Sequence, residues 1–196
     1  LPKLLKNKNK NICFLILKNN SPDDTINLVN KFKKKDKRII LYTHKNNIGA
    51  ANNFRFGMKY AKTHYVTLVS DDDYLLGDYF ETCLNIFEKN PQVGFINQEY
   101  GCIKLKKDSY KLFKAGLKAS IEGYRYASML SGISFRKKLL NFKKYPLKKD
   151  KIYSYLSQIL PITEKFDYVK IESSSFYPLK KINYKDQASF VKTSIK

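Results

Sequence analysis

The chain alternates between short unbroken apolar runs and longer stretches in which apolar residues return every three or four positions. Ile12-Cys13-Phe14-Leu15-Ile16-Leu17 is one such run, and Ile39-Ile40-Leu41-Tyr42, Tyr65-Val66-Thr67-Leu68-Val69 and Val93-Gly94-Phe95-Ile96 repeat the pattern. Runs of this length, rich in β-branched and aromatic residues, predict strands buried on both faces. Between them three sets lie at helical spacing: Ile26, Leu28, Val29 and Phe32; Ala50, Phe54, Met58 and Ala61; and Tyr79, Phe80, Cys83, Leu84 and Phe87. Ser21 or Asp23 is positioned to cap the first helix, Pro22 suits its first turn, and Lys33 to Arg38 puts positive charge at its negative end. Asn90-Pro91 stops the third helix. Strand, helix and strand within about thirty residues predict a parallel βαβ unit with a right-handed crossover.

Beyond Ile96 the pattern loosens. Leu112 to Leu117, a glycine-punctuated Tyr124 to Phe135 and a helix-like Ile152 to Leu160 follow, and Tyr168-Val169-Lys170-Ile171 is a last strand candidate. At the other end, Leu1, Leu4 and Leu5 in a run of lysine and asparagine read as the last turn of a helix. With no linker, low-complexity tract or repeat, the expectation is one domain over residues 1–196. Its regular half is about 1–96 and its irregular half about 97–196, and irregular segments on a regular sheet commonly form the variable side of a pocket.

The strand expected at Tyr65 to Val69 runs directly into Ser70-Asp71-Asp72-Asp73. In open α/β sheets, ligands bind at the carboxyl ends of strands, so a central strand would carry these carboxylates to a binding crevice. Three adjacent Asp repel one another and lose solvation when a site closes. A hard divalent cation holding phosphate groups would compensate them. The alternative is an exposed acidic turn that caps the next helix. Asn46-Asn47-Ile48-Gly49 forms a turn into the second helix, where Asn53 either braces the helix start or faces a ligand.

Composition adds three constraints. A chain of 196 residues with 43% hydrophobic content can bury a sizeable core. No stretch approaches eighteen uninterrupted apolar residues and no secretory leader pattern is present, which gives the expectation of a cytoplasmic protein. Cys13, Cys83 and Cys102 are odd in number and set among apolar residues, so buried reduced thiols are expected. The formal net charge of +21 suggests a phosphate-bearing partner, yet only four of the 38 basic residues are arginine (Arg38, Arg55, Arg125 and Arg136). Base-reading surfaces favour arginine, which argues against a nucleic-acid partner and for attraction to anionic phospholipid or a phosphate-bearing substrate. Tyr and Phe interspersed with Lys from Tyr110 to Lys118 keep a basic nucleic-acid-binding protein as an alternative.

The order of pieces is strand, Asn19-Asn20-Ser21-Pro22-Asp23-Asp24-Thr25, helix, strand, Asn47-Ile48-Gly49-Ala50-Ala51-Asn52-Asn53, helix, strand, Ser70-Asp71-Asp72-Asp73, helix, strand. This set, over roughly residues 12 to 96, resembles the nucleotide-sugar half of a family 2 glycosyltransferase, and is similar in particular to the abequosyltransferase-like subgroup. The resemblance implies an α/β fold of the GT-A type: a Rossmann-like, mostly parallel central sheet flanked by helices, with an irregular C-terminal acceptor half. It implies transfer of a sugar from a nucleoside-diphosphate donor to a saccharide or lipid-linked acceptor in bacterial surface-glycan synthesis, with inversion. Asn20, Asn47, Gly49, Asn53, Asp71 and Asp72 would contact the donor, and Asp72 and Asp73 would hold Mg²⁺ or Mn²⁺. Ser131-Gly132-Ile133-Ser134-Phe135-Arg136-Lys137 resembles the segment that precedes the family's catalytic base, which points to Asp150, with Glu122 and Glu99 as alternatives. The family's opening strand has no match, so the chain resembles an N-terminally truncated member, peripheral at the inner face of the membrane. Lys18 stands where the family has an Asp, and a catalytically inactive relative is therefore the second expectation.

Overall fold

The computed structural model describes residues 1, 4–71, 73–75, 78–98, 109–127, 130–144, 154–172 and 176–178. After a 3₁₀ turn at Leu4–Lys6, the order is β1 (Phe14–Lys18), α1 (Thr25–Lys33), β2 (Ile39–Thr43), α2 (Ala50–Tyr60), β3 (Tyr65–Thr67), β4 (Asp73–Leu75), α3 (Tyr79–Lys89) and β5 (Val93–Gln98). Then come β6 (Tyr110–Phe113), α4 (Leu117–Arg125), β7 (Ser134–Arg136), 3₁₀ turns at Lys137–Leu139 and Ser154–Gln158, α5 (Ile159–Thr163), β8 (Asp167–Ile171) and β9 (Phe176–Pro178). Among the described residues no helix is long and apolar enough to cross a membrane.

The βαβ unit forms as its pattern predicts: β1 pairs with β2 in parallel, from Phe14 opposite Ile39 to Lys18 opposite Thr43. Burial there is partial. Cys13 is exposed and the middle of β1 is only half-buried, so the apolar run Ile12 to Leu17 is not the fully covered strand its composition suggests. On α1, only Val29 of the apolar set is buried, and Leu28 is 54% exposed. Neither Ser21 nor Asp23 occupies the cap position, which falls on Asp24. Asp23 still accepts the Thr25 N–H at 3.2 Å and so steadies the helix start.

The main sheet has the order β3-β7-β5-β8-β6. It is mixed rather than mostly parallel. β5 and β8 run parallel, but β7 lies antiparallel to both β3 and β5, and β6 is antiparallel to β8. The physical reason is chain return: β7, from the irregular half, inserts between two strands of the regular half. Consequently β3 is bounded by β7 alone among the described pairings, not held centrally in a parallel sheet, and it is three residues long rather than five.

Two apolar clusters cover the sheet. One joins Met58, Val66, Phe95, Phe135, Tyr155, Ile159, Ile162 and Tyr168, and the other joins Phe14, Ile39, Leu75, Tyr79, Phe87, Val93, Ile96 and Val169. Alternation along β5 and β8 sends Phe95 and Tyr168 to one face and Ile96 and Val169 to the other. Phe95, Tyr168 and Phe113 stack in series with ring centroids 5.4 and 5.3 Å apart. At Gly94 a Cβ would lie 2.6 Å from Ile162 Cγ2 and 2.8 Å from Phe166 Cβ, so only glycine lets this side of the core close on β5.

Arg136 pins the far end of β3 and β7. Its guanidinium is buried and donates to the carbonyls of Val93 (2.9 Å), Phe87 (2.9 Å) and Asn90 (3.2 Å). The last two lie at the C-terminus of α3, where a cation suits the helix dipole. The same guanidinium sits 5.2 Å from the centroid of the Tyr65 ring, and that ring stacks on Phe87 at 4.6 Å.

Candidate active site

Two loops at the carboxyl ends of β1 and β2 are bound to each other by asparagine side chains. Asn19 Nδ2 donates to Asn47 Oδ1 at 3.0 Å, while Asn19 Oδ1 accepts the Ile48 N–H at 2.9 Å. Asn47 Oδ1 also accepts the Gly49 N–H at 2.9 Å, an Asx turn that sets up the start of α2. Gly49 itself has φ of 78°, the left-handed region, and Asn20 is in the same region at 56°. Glycine and asparagine are the residues that adopt this conformation at low cost. Both Asn20 and Asn47 are exposed, as is Gly49.

Asn53 braces the second loop from within the helix. Its N–H donates to Gly49 O at 3.0 Å, and its Oδ1 is 3.0 Å from His44 Nε2. His44 is buried, with its ring 5.0 Å from Tyr42 and 4.7 Å from Phe56. The alternation of β2 could not reveal this, because His44 lies one residue beyond the strand. His64 is exposed.

Lys18 ends β1 with its side chain only 5% exposed. The ammonium donates to Ser21 O (2.6 Å), Asp23 O (3.2 Å) and Asp23 Oδ1 (2.7 Å). Its charge is therefore compensated inside its own turn. These bonds also shape the 18–23 loop that carries Asn19 and Asn20. The Lys18 hydrogen bond, helped by the Thr25 N–H, holds the Asp23 carboxyl well below its usual range, at about 2.

The acidic turn follows β3. Asp71 is exposed and Asp73 half-buried, while Asp72 lies outside the described residues. Asp73 opens β4, whose antiparallel partner β9 places Pro178 opposite it. The turn is held from below by the segment before β7. Ser131, 1% exposed, accepts the Ser70 N–H at 2.8 Å and donates to Asp73 Oδ2 at 2.7 Å. Gly132 has φ of 97°, its N–H donates to Leu68 O at 2.9 Å, and Tyr79 Oη donates to its carbonyl. Gln98 Nε2 closes the arrangement on Ser131 O at 3.1 Å. The sequence had linked this segment to a catalytic base. Its observed contacts make it a support of the acidic turn, through Ser70 and Asp73.

Among the described residues no three His, Cys, Asp or Glu side chains converge as a metal-ligand set. The donors present are nonetheless of the right kind. Asp71 and Asp73 offer hard carboxylate oxygens, suited to Mg²⁺ or Mn²⁺ rather than to a thiolate-loving metal. The Ser131 hydroxyl on Asp73 is the sort of outer hydrogen bond that orients a ligating carboxylate. Of the base candidates, Asp150 and Glu99 lie outside the described residues. Glu122 is on α4, 3.2 Å from Arg125 Nη1 in a partly exposed ion pair.

A mixed sheet flanked by helices defines a fold class, and solved structures share that fold. The chain matches a structure of S. aureus TarS residues 1–349 with a TM-score of 0.66 at 12% identity, covering 90% of this chain and 54% of that one. The mannosyltransferase PcManGT from Pyrobaculum calidifontis, solved with GDP-Man and Mn²⁺, matches with a TM-score of 0.64 at 12% identity, covering 95% and 54%. The fold is thus an α/β fold of the GT-A type. Residues 1–152 match the family model described as Glycosyl transferase family 2, and the chain belongs to that family.

Two relatives are similar in sequence. An uncharacterized glycosyltransferase of Haemophilus influenzae is 24% identical over 181 residues, 89% of this chain and 70% of the relative. The minor teichoic acid biosynthesis protein GgaB of Bacillus subtilis is 28% identical over 81 residues, 41% of this chain and 9% of GgaB. The chain spans about half the length of the solved structures it matches, 54% for each of the two above.

Proposed function

We propose that this chain is a metal-dependent, inverting glycosyltransferase that passes a sugar from a nucleoside-diphosphate donor to a saccharide or lipid-linked acceptor in bacterial surface-glycan synthesis. The observation that carries the reading is the acidic turn at the end of β3, braced through Ser131 in a chain of this family. The name of GgaB supports the surface-glycan setting, and the Mn²⁺ complex of PcManGT supports the metal.

In this proposal residues 1–96 and 97–196 form one domain around the site. Asn20, Asn47, Gly49 and Asn53 line the donor side, with the Asn19–Asn47 link fixing the two loops relative to one another. Asp71 and Asp72 meet the diphosphate, and Asp72 and Asp73 hold Mg²⁺ or Mn²⁺. The bound metal would neutralise the charge that develops on the departing diphosphate. Asp73 is kept in orientation by Ser131, and Asp150 takes the proton from the attacking acceptor hydroxyl. Lys18 does not oppose donor binding, because its ammonium is spent on Ser21 and Asp23. The likeness to abequosyltransferases and a peripheral place at the inner face of the membrane belong to the same proposal.

The test is calorimetric titration with UDP- and GDP-sugars, with and without Mn²⁺, alongside detection of the released nucleoside diphosphate. Metal-dependent donor binding that Asp72→Asn and Asp73→Asn abolish is the expected result. Equal donor binding in the two variants and the parent chain would remove the site.

A further inference from the structure

A strongly basic hollow lies away from the acidic turn. Its volume is about 350 Å³, and it is formed by Arg55, Met58 and Lys59 of α2 and by Lys137 and the 140–143 segment after β7. Among the described residues four cations line it, Arg55, Lys59, Lys137 and Lys143, and no carboxylate does. Among the described residues none of the four is ion-paired. The Lys137 ammonium donates to Ala61 O at the end of α2, and Arg55 lies over the Phe142 ring at 5.7 Å. Met58 and Phe142, both buried, form an apolar floor beneath the charges.

Like charges gathered in one hollow raise each other's energy, and a multivalent anion entering the hollow relieves all of them at once. The guanidinium fork suits phosphate oxygens, and that of Arg55 already lies over the Phe142 ring. The apolar floor suits the C–H face of a sugar or polyol attached to that phosphate. A hollow of this size holds one such unit, since small-ligand sites begin at roughly 300 Å³. A membrane surface fits less well, because the apolar side chains are the floor of a concavity and do not project from it.

The hollow is also distant from the acidic turn. Lys137 N–H donates to His64 O, before β3 begins, whereas Ser70 lies after it ends. Six residues of extended chain separate the two by roughly 20 Å.

We propose that this hollow binds a phosphate group of a phosphodiester-linked acceptor polymer, several units from the point of sugar transfer. The inference rests on the glycosyltransferase reading and names its acceptor class. The polymer is held at two places, so affinity grows with chain length until both ends are reached.

The probe is a glycerol-phosphate hexamer, titrated against the whole chain at several salt concentrations, with the monomer for comparison. The hexamer should bind more tightly than the monomer. The exposed pair Lys59→Ala and Lys143→Ala should weaken hexamer binding by about tenfold and reduce the slope of log K against log salt by roughly 1.5 to 2. Lys33→Ala with Lys34→Ala removes the same charge from α1 and should leave binding almost unchanged. Equal losses from both pairs would show that only net charge matters and would overturn the proposal. Tighter capture of phosphatidylglycerol vesicles or of an RNA oligonucleotide through the same lysines would overturn it as well. Donor binding is read separately, in the Mn²⁺ and nucleotide-sugar titration, so a failure of the glycosyltransferase reading is distinct from a failure here.

Discussion

Ser131→Ala tests whether the turn before β7 does more than fill space. The substitution removes one hydroxyl from a site 1% exposed, and with it an acceptor for the Ser70 N–H and a donor to the Asp73 carboxylate. A neutral hydrogen bond contributes about 1 kcal/mol and one to a charged group about 1.5–3 kcal/mol. Asp73 is half-buried, so water replaces part of the second, and a total loss of about 2 kcal/mol is expected. The midpoint of urea unfolding should fall with the slope unchanged. Because the lost bond orients Asp73, Mn²⁺ affinity in the presence of a nucleoside diphosphate should fall about 10- to 100-fold, the usual effect of removing a ligand's outer partner. A stability loss with unchanged Mn²⁺ affinity would refute the orienting role and leave Ser131 a purely structural brace.

Three further outcomes are expected. Burial pushes the Cys83 thiol up to about 12 while Cys13 is exposed, so native-state labelling followed by peptide mapping should modify Cys13 and reach Cys83 only after unfolding. The Asp23 carboxyl is lowered from its ordinary 3.8 to about 2 by Lys18, so its contribution to stability is present above pH 3.8 and is lost as pH falls towards 2. Asp23→Asn should therefore flatten the fall in urea midpoint across that window. Gly94→Ala drives a methyl group to 2.6 Å from Ile162, and overpacking of about 1–3 kcal/mol should lower the melting temperature by several degrees.

The regular half was legible because its signals are local. Apolar runs and helical spacing placed α2 at Ala50–Tyr60, α3 at Tyr79–Lys89 and β5 at Val93–Gln98, within one or two residues of the expected limits. The parallel pairing of β1 with β2 followed from the crossover between them. Burial was harder to read: Cys13 and Leu28 belong to convincing apolar patterns yet are exposed. Periodicity tells which face of an element is apolar, not whether anything covers that face.

By itself, the chain's order of residues determined a βαβ start, an α/β class and an acidic turn at a strand end, since each depends on neighbours within a few positions. Only the tertiary structure decided that β7 returns between β3 and β5, that Ser131 supports Asp73 from 58 positions away, and that Lys18 turns inward onto Asp23. It alone brought Arg55 and Lys59 against Lys137 and Lys143. Contacts between distant segments are chosen by the competition to bury apolar surface and satisfy buried polar groups across the whole chain, and no local pattern carries the outcome of that competition.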